Sequence, residues 1–249
     1  MSSKFIRYYA IAIGVILALT IVQALCCQRA HAKEKLTYDI SVLSANVARA
    51  VMVYKPDEHG GERVLKLFGT LETKENWDKF YSVRHKIASV IAPDDFPILS
   101  EMDLNKNKSN KQYVIYFGSE GIAGSKKVKG KKEKFISEQT SLPTHDLLSW
   151  INYLRSVEYE EGKSFSFRIF SGNHFYNVEC LPVKIEDVWT KRGIIPAYKI
   201  NATISGVGKK KKFNKKVRAW ISADKEKLPL KMIFGLTFGE IRVILTNVS

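Results

Sequence analysis

The sequence predicts a mainly β protein, an antiparallel meander that forms a strongly curved sheet or open barrel. It adds one clear amphipathic helix at about residues 145–157 and a short helix at about 74–80. Three observations predict this. From Leu36 onward, apolar and polar residues alternate with the two-residue period of half-buried strands. Turn residues interrupt the alternation at short, regular intervals. No long helical segments alternate with the strands, as a parallel sheet would require.

The chain has 249 residues, and its first part is distinct. Lys4 and Arg7 precede an apolar run from Tyr8 to Leu25, and Ala30-His31-Ala32 follows. These are the three parts of a secretory signal peptide, which places the mature start at Lys33. Eighteen mostly apolar residues also approach the length of a membrane-spanning helix, so an uncleaved anchor is a second reading. Cys26-Cys27 offers a third, a lipoprotein, although Leu25 stands where a small residue normally precedes a diacylated cysteine. All three deliver the body to the periplasm or cell envelope.

Residues 1–32 hold three of the 40 basic residues and none of the 25 acidic ones, so the body keeps 37 against 25, a net charge of +12. It also keeps a single cysteine, Cys180, and so has no intramolecular disulfide. A single domain over residues 33–249 is long enough to bury a core without such staples.

In chain order, Glu75 to about Phe80 reads as a short helix and Tyr81 to Ile91 as a strand. Lys126 to Lys134 is a lysine-rich hairpin connection. Thr144 is positioned to cap a helix whose Leu147, Leu148, Ile151 and Leu154 share a face, with Asp146 in its first turn and Arg155 near its end. Phe165-Phe167-Ile169, Tyr198-Ile200-Ala202-Ile204, Val217-Ala219-Ile221, Leu228-Leu230-Met232-Phe234 and Ile241-Val243-Leu245 are alternating strands. Glu160-Glu161-Gly162-Lys163, Ser171-Gly172-Asn173, Lys191-Arg192-Gly193 and Ala223 to Lys227 are the turns between them.

The order of these segments resembles the DUF3108 family of exported bacterial envelope proteins. LTYDIS, KFYSVRHKIASVIAPDDFPILSEM, THDLLSWINYLRS, AWISADKEKLPLKM and FGEIRVIL carry the resemblance. The family pattern falls on Asp146, Leu154, Arg155, Trp220, Ser222, Asp224, Leu228 and Pro229, all expected to be structural. Asp146 and Arg155 complement the helix, Trp220 packs it against the sheet, and Asp224 holds a turn. The chain departs after its first strand, where LSANVARA replaces a glycine-containing bend. The resemblance implies an exported β-rich domain and supplies no reaction.

No catalytic motif is present. His59, His85, His145 and His174 are scattered without metal-ligand spacing and read as surface or capping residues, so no metal or cofactor is expected. Asp94-Asp95 and Glu160-Glu161 are neighbours in loops, whereas glycoside cleavage needs carboxylates across a bond. Cys180 with His174 and Asp187 is an imaginable triad, and Cys180 reads instead as a buried strand residue. Gly118, Gly121 and Gly124 lack the ending of a phosphate loop.

Charge supplies the remaining candidates. Lys126, Lys127, Lys129, Lys131 and Lys132 form one cluster, and Lys209, Lys210, Lys211, Lys212, Lys215 and Lys216 the other. They suit contact with anionic lipid, lipopolysaccharide or another envelope polyanion, and an envelope protein partner fits the same reading. A nucleic-acid partner is not expected, since Phe213 alone interrupts the second cluster and stacking aromatics are missing. The best reading is a non-enzymatic binding or structural module supporting envelope assembly or integrity. An envelope-polymer hydrolase with a site invisible in sequence is the alternative.

Overall fold

A computed structural model describes residues 33–140, 142–236 and 239–249. The leader read at residues 1–32 lies outside them. Glu34–Ser249 forms one compact unit.

Fifteen strands form one sheet that does not close. They are β1 Glu34–Val42, β2 Ala45–His59, β3 Glu62–Thr73, β4 Val83–Ile91, β5 Pro97–Lys106, β6 Ser109–Phe117, β7 Gly121–Val128 and β8 Lys134–Gln139, then β9 Thr144–His145, β10 Phe165–Phe170, β11 Phe175–Thr190, β12 Gly193–Gly206, β13 Asn214–Ser222, β14 Pro229–Leu236 and β15 Gly239–Val248. Among the described residues two helices interrupt them, α1 Glu75–Asp78 and α2 Ser149–Ser156. Both expected helices are therefore present, and the curved antiparallel sheet is as the alternation predicts.

The spatial order is β8 to β1, then β15 down to β9, so two meanders meet where the chain's ends pair. Leu36 lies opposite Val248 and Val42 opposite Ile241. All neighbours are antiparallel except β9 and β10, which run parallel for two residues.

The segment between β8 and β10 fills the concave face. Leu148 belongs to one buried cluster with Leu36, Met52, Tyr54, Leu67 and Leu245 from both meanders. A Cβ on Gly69 would sit 2.7 Å from Leu148 Cδ2, so the small residue in β3 makes room for that leucine. Leu154 packs instead with Phe167, Ile169, Val178 and Ile221. The β10–β11 turn also reaches across: Phe170 buries against Met102, Tyr113 and Ile115 of the other meander. At Gly172, φ is +88° and a Cβ would meet the Tyr113 ring at 2.8 Å. The sheet is thus packed by its own side chains.

The helix begins later than its sequence suggests. Thr144 is a β9 residue rather than the cap, and Asp146 takes that role by accepting hydrogen bonds from the backbone of Leu148 and Ser149, both at 2.7 Å. Ser149 Oγ accepts from Asp146 N in return. The Val217 to Ser222 alternation also breaks, because a register shift between Trp220 and Ile221 lets both bury.

The β1–β2 turn is made without the glycine that the family resemblance leads one to expect. Val42 faces Ala45 across a two-residue connection, and Leu43 and Ser44 hold φ of 47° and 69°. Both central residues of such a turn need positive φ when it is the twist-compatible mirror type, which suits Asn-Gly and strains other residues. Leu43→Asn with Ser44→Gly is expected to raise unfolding free energy by about 1–2 kcal/mol. Urea denaturation of the pair against the parent chain measures it, and an unchanged midpoint would show that the turn stores no strain.

Candidate functional site

Strand alternation decides where each connection falls. β1 starts at one end of the sheet, here the near end. Counting antiparallel strands outward from it places the β7–β8 and β12–β13 connections together at the opposite, far end. The two lysine clusters, some eighty residues apart in sequence, are therefore at one end of the molecule. The β5–β6 turn adds Lys106 and Lys108 there.

The His174 environment shows the clusters converging. His174 lies in the β10–β11 turn, and its pKa is lowered by burial and then by the charges of Lys210, Lys126 and Lys209, with Glu138 opposing. Val207 N donates to Phe175 O at 3.0 Å, which ties the lysine-bearing connection to this turn. A short 3-10 turn, Gly208–Lys210, then presents Lys209 and Lys210.

Not every lysine is a solvated tip residue, as the sequence reading had them. Lys126 and Lys127 are in β7, and Lys215 and Lys216 are in β13. Lys126 is half-buried with Nζ 5.3 Å from the Tyr113 ring centroid, where the aromatic face partly replaces water. Lys129, Lys131, Lys132 and Lys209 to Lys212 are exposed, and none has a salt-bridge partner among the described residues. Ion pairs occur at both ends, Lys163–Glu160 and Lys227–Glu158 at the near end and Arg84–Asp78 and Arg242–Glu240 at the far end, but they do not include these tip lysines.

Most of the family-pattern residues gather at the near end. Arg155 donates to both carboxylate oxygens of Glu34 at 2.6 and 3.2 Å and to Glu226 O at 3.1 Å, with its guanidinium 4.7 Å from the Tyr54 ring centroid. Burial opposes its charge, but the hydrogen bonds to Glu34 and the contact with Tyr54 outweigh that and raise its pKa. One side chain thus ties α2 to β1, β2 and the β13–β14 turn. Asp224 holds that turn as expected, accepting from Ser222 Oγ and from the backbone of Glu226 and Lys227. Ser222 Oγ accepts from Leu228 N at 2.8 Å, and Leu228 is buried beside Pro229, the first residue of β14. Trp220 is buried in the cluster that holds Leu148, and its Nε1 donates to Glu186 at 2.7 Å, a partner the sequence did not indicate.

The catalytic arrangements weighed from sequence do not assemble. His174, Cys180 and Asp187 are spread along β11 and the turn before it, and burial pushes the Cys180 thiol up to about 12. Asp95 is engaged by Asn152 Nδ2 at 2.9 Å. Among the described residues no three His, Cys, Asp or Glu side chains cluster to hold a metal ion.

His145 is the residue that sequence reasoning misplaced most. It is 0% exposed, stacked between Phe96 and Tyr153 with centroids 4.9 and 4.7 Å away, and edge-on to Phe167. Neither ring nitrogen has a hydrogen-bond partner among the described residues. It lines a cavity of about 240 Å³ with Leu142, Pro143, Arg168 and Asn177. No local signal separates such a histidine from a capping one, because Phe96 and Phe167 are brought to it only by the fold.

With this architecture in place, comparison with known proteins is informative. The model of a family described as a protein of unknown function, DUF3108, matches residues 37–246. The chain belongs to that family. No curated protein matches this DUF3108 chain in sequence. In structure it is similar to a β-barrel-like protein of the DUF1849 domain family from Brucella abortus, at 10% identity and a TM-score of 0.59, covering 88% of this chain and 98% of that one. A looser likeness is to a protein with a YmcC-like fold from Bacteroides fragilis, at 8% identity and a TM-score of 0.41, covering 87% and 95%. The first of these establishes that the DUF3108 sheet is barrel-like and speaks to fold alone.

The buried imidazole has a pH signature. Burial lowers the His145 pKa to about 4, against about 6.5 in an unfolded chain. Between those values the unfolded state binds more protons, so stability falls as pH drops through that window and is unaffected above it. His145→Phe keeps a ring in the stack and removes the titration. Urea unfolding at pH 7 and pH 4.5 is expected to show the parent losing about 2–3 kcal/mol more than this variant. Equal losses would exclude His145 as a source of acid sensitivity.

Proposed function

We propose that the protein is an exported envelope module that binds anionic material, acidic lipid headgroups or an envelope polyanion, through its far end and without catalysis. The observation that carries this reading is the gathering of both lysine-rich connections at one end, where Lys129, Lys131, Lys132 and Lys209 to Lys212 make no salt bridge among the described residues. Lysines on hairpin tips keep their stems flexible, so their heads can follow an irregular charged surface without a preformed pocket. The leader pattern at residues 4–32 supports placement in the periplasm or envelope, where such polyanions face the protein. The framework of Asp146, Arg155 and Asp224 then serves to hold the sheet, and an envelope protein partner has the near end available.

The test is vesicle co-sedimentation of the purified full chain. Each lysine near an acidic leaflet contributes roughly 1 kcal/mol before screening. Changing Lys209 to Lys212 together to Gln is therefore expected to weaken binding to acidic phospholipid vesicles by at least about tenfold at low salt. Adding Lys129, Lys131 and Lys132 to Gln should abolish it, while purely zwitterionic vesicles bind neither protein. Undiminished binding by the seven-site variant at low salt would refute the reading.

A further inference from the structure

At one edge of the open sheet, β8 hydrogen-bonds on one side only. Its residues 134–139 pair with 126–121 of β7, and among the described residues its other side makes no backbone hydrogen bond. The strand is exposed along its length except at half-buried Ile136, and Phe135 is 89% exposed. An unpaired strand edge is a template for a further strand, and charged residues commonly guard it. Here the guarding charges match their own reversed sequence.

Two copies of KFISEQ running antiparallel about a two-fold axis through Ile136 set Lys134 opposite Glu138 of the second copy, and Glu138 opposite its Lys134. The same register makes the two Phe135 residues diagonal neighbours on one face, a spacing at which aromatic rings reach each other. The reversal also carries the second copy's Lys129 to Lys132 tip to the Gln139 end of this strand, so the cationic tips do not meet. Within its own chain Lys134 faces Lys126 and Glu138 faces Ile122, so neither charge has a cross-strand counter-ion in β7.

We infer that β8 is a self-pairing edge through which two copies of the chain join into one continuous sheet, an isologous contact that closes on itself. The inference does not rest on the anionic-surface reading.

Sedimentation velocity of the full chain over a concentration series tests it. The parent is expected to dimerise, and Lys134→Glu or Glu138→Lys alone to weaken the dimer by about tenfold or more, since each change places like charges opposite twice. Combining the two should restore it, because the reversed pair is again complementary. Circular dichroism and thermal melting confirm that each variant is folded. Register is read separately with Ile136→Cys, which sits on the axis at disulfide distance from its copy and should cross-link under mild oxidation beyond any product from the parent chain. A parent that stays monomeric at all concentrations overturns the inference. So does a dimer that neither single reversal weakens, or one in which residue 136 does not cross-link.

Discussion

The architecture depends on β1 finding β15. Without that ladder the chain is two separate meanders, each with an additional open edge and half of an interior. Closing a loop of that length costs on the order of 5 kcal/mol in chain entropy, and the cost is recovered only by contacts that form once the meanders are joined. Leu36, Tyr38 and Leu245 bury at this junction, and the cluster they begin takes in Tyr54 and Leu67 on one side and Leu228 and Leu230 on the other. Register is equally constrained. A slip of one residue would turn Leu36 and Tyr38 to the opposite face of β1.

An open fifteen-stranded sheet still has a concave apolar face to cover, and the segment from Thr144 to Tyr159 covers it. Its placement depends on few contacts. Asp146 begins the helix, Leu148 enters the space left by Gly69, and Arg155 grips Glu34 beside Tyr54. The Arg155–Glu34 pair is largely withdrawn from solvent, so losing one partner would strand the other charge. Asp146 and Arg155, which the resemblance singled out, thus hold the two ends of this segment. Tyr159 completes the plug by donating its hydroxyl to Leu154 O.

Much of this was legible in sequence because half-buried strands print their period directly. Phe165-Phe167-Ile169 and Tyr198-Ile200 could be read as strands without knowing their partners. The misreadings share a physical cause. β9 is two residues long and parallel, too short to show a period, so Thr144 looked like a cap. Lys126 looked solvated because it is charged, yet it shares a strand face with buried Ile122 and lies over the Tyr113 ring. The shift at Trp220 hid which face that residue takes, since alternation assumes an unbroken ladder. The candidate site was legible as two charge clusters. That they share an end follows only from strand order, which no local pattern encodes.

The distribution of counter-charges bears on whether the far end is more than a soluble rim. Some lysines within strands are balanced: Lys66 has Asp57, and Lys184 and Lys199 share Glu186. At the near end the turns pair Lys163 with Glu160 and Lys227 with Glu158. Solubility alone is served by such interspersed signs, and a block of one sign adds self-repulsion to the folded state. At the far-end tips Lys209 to Lys212 are consecutive and make no salt bridge among the described residues, at positions where strand packing makes no demand on residue type. The fold is indifferent to those positions, so the charges there are free to serve the anionic surface proposed as their partner.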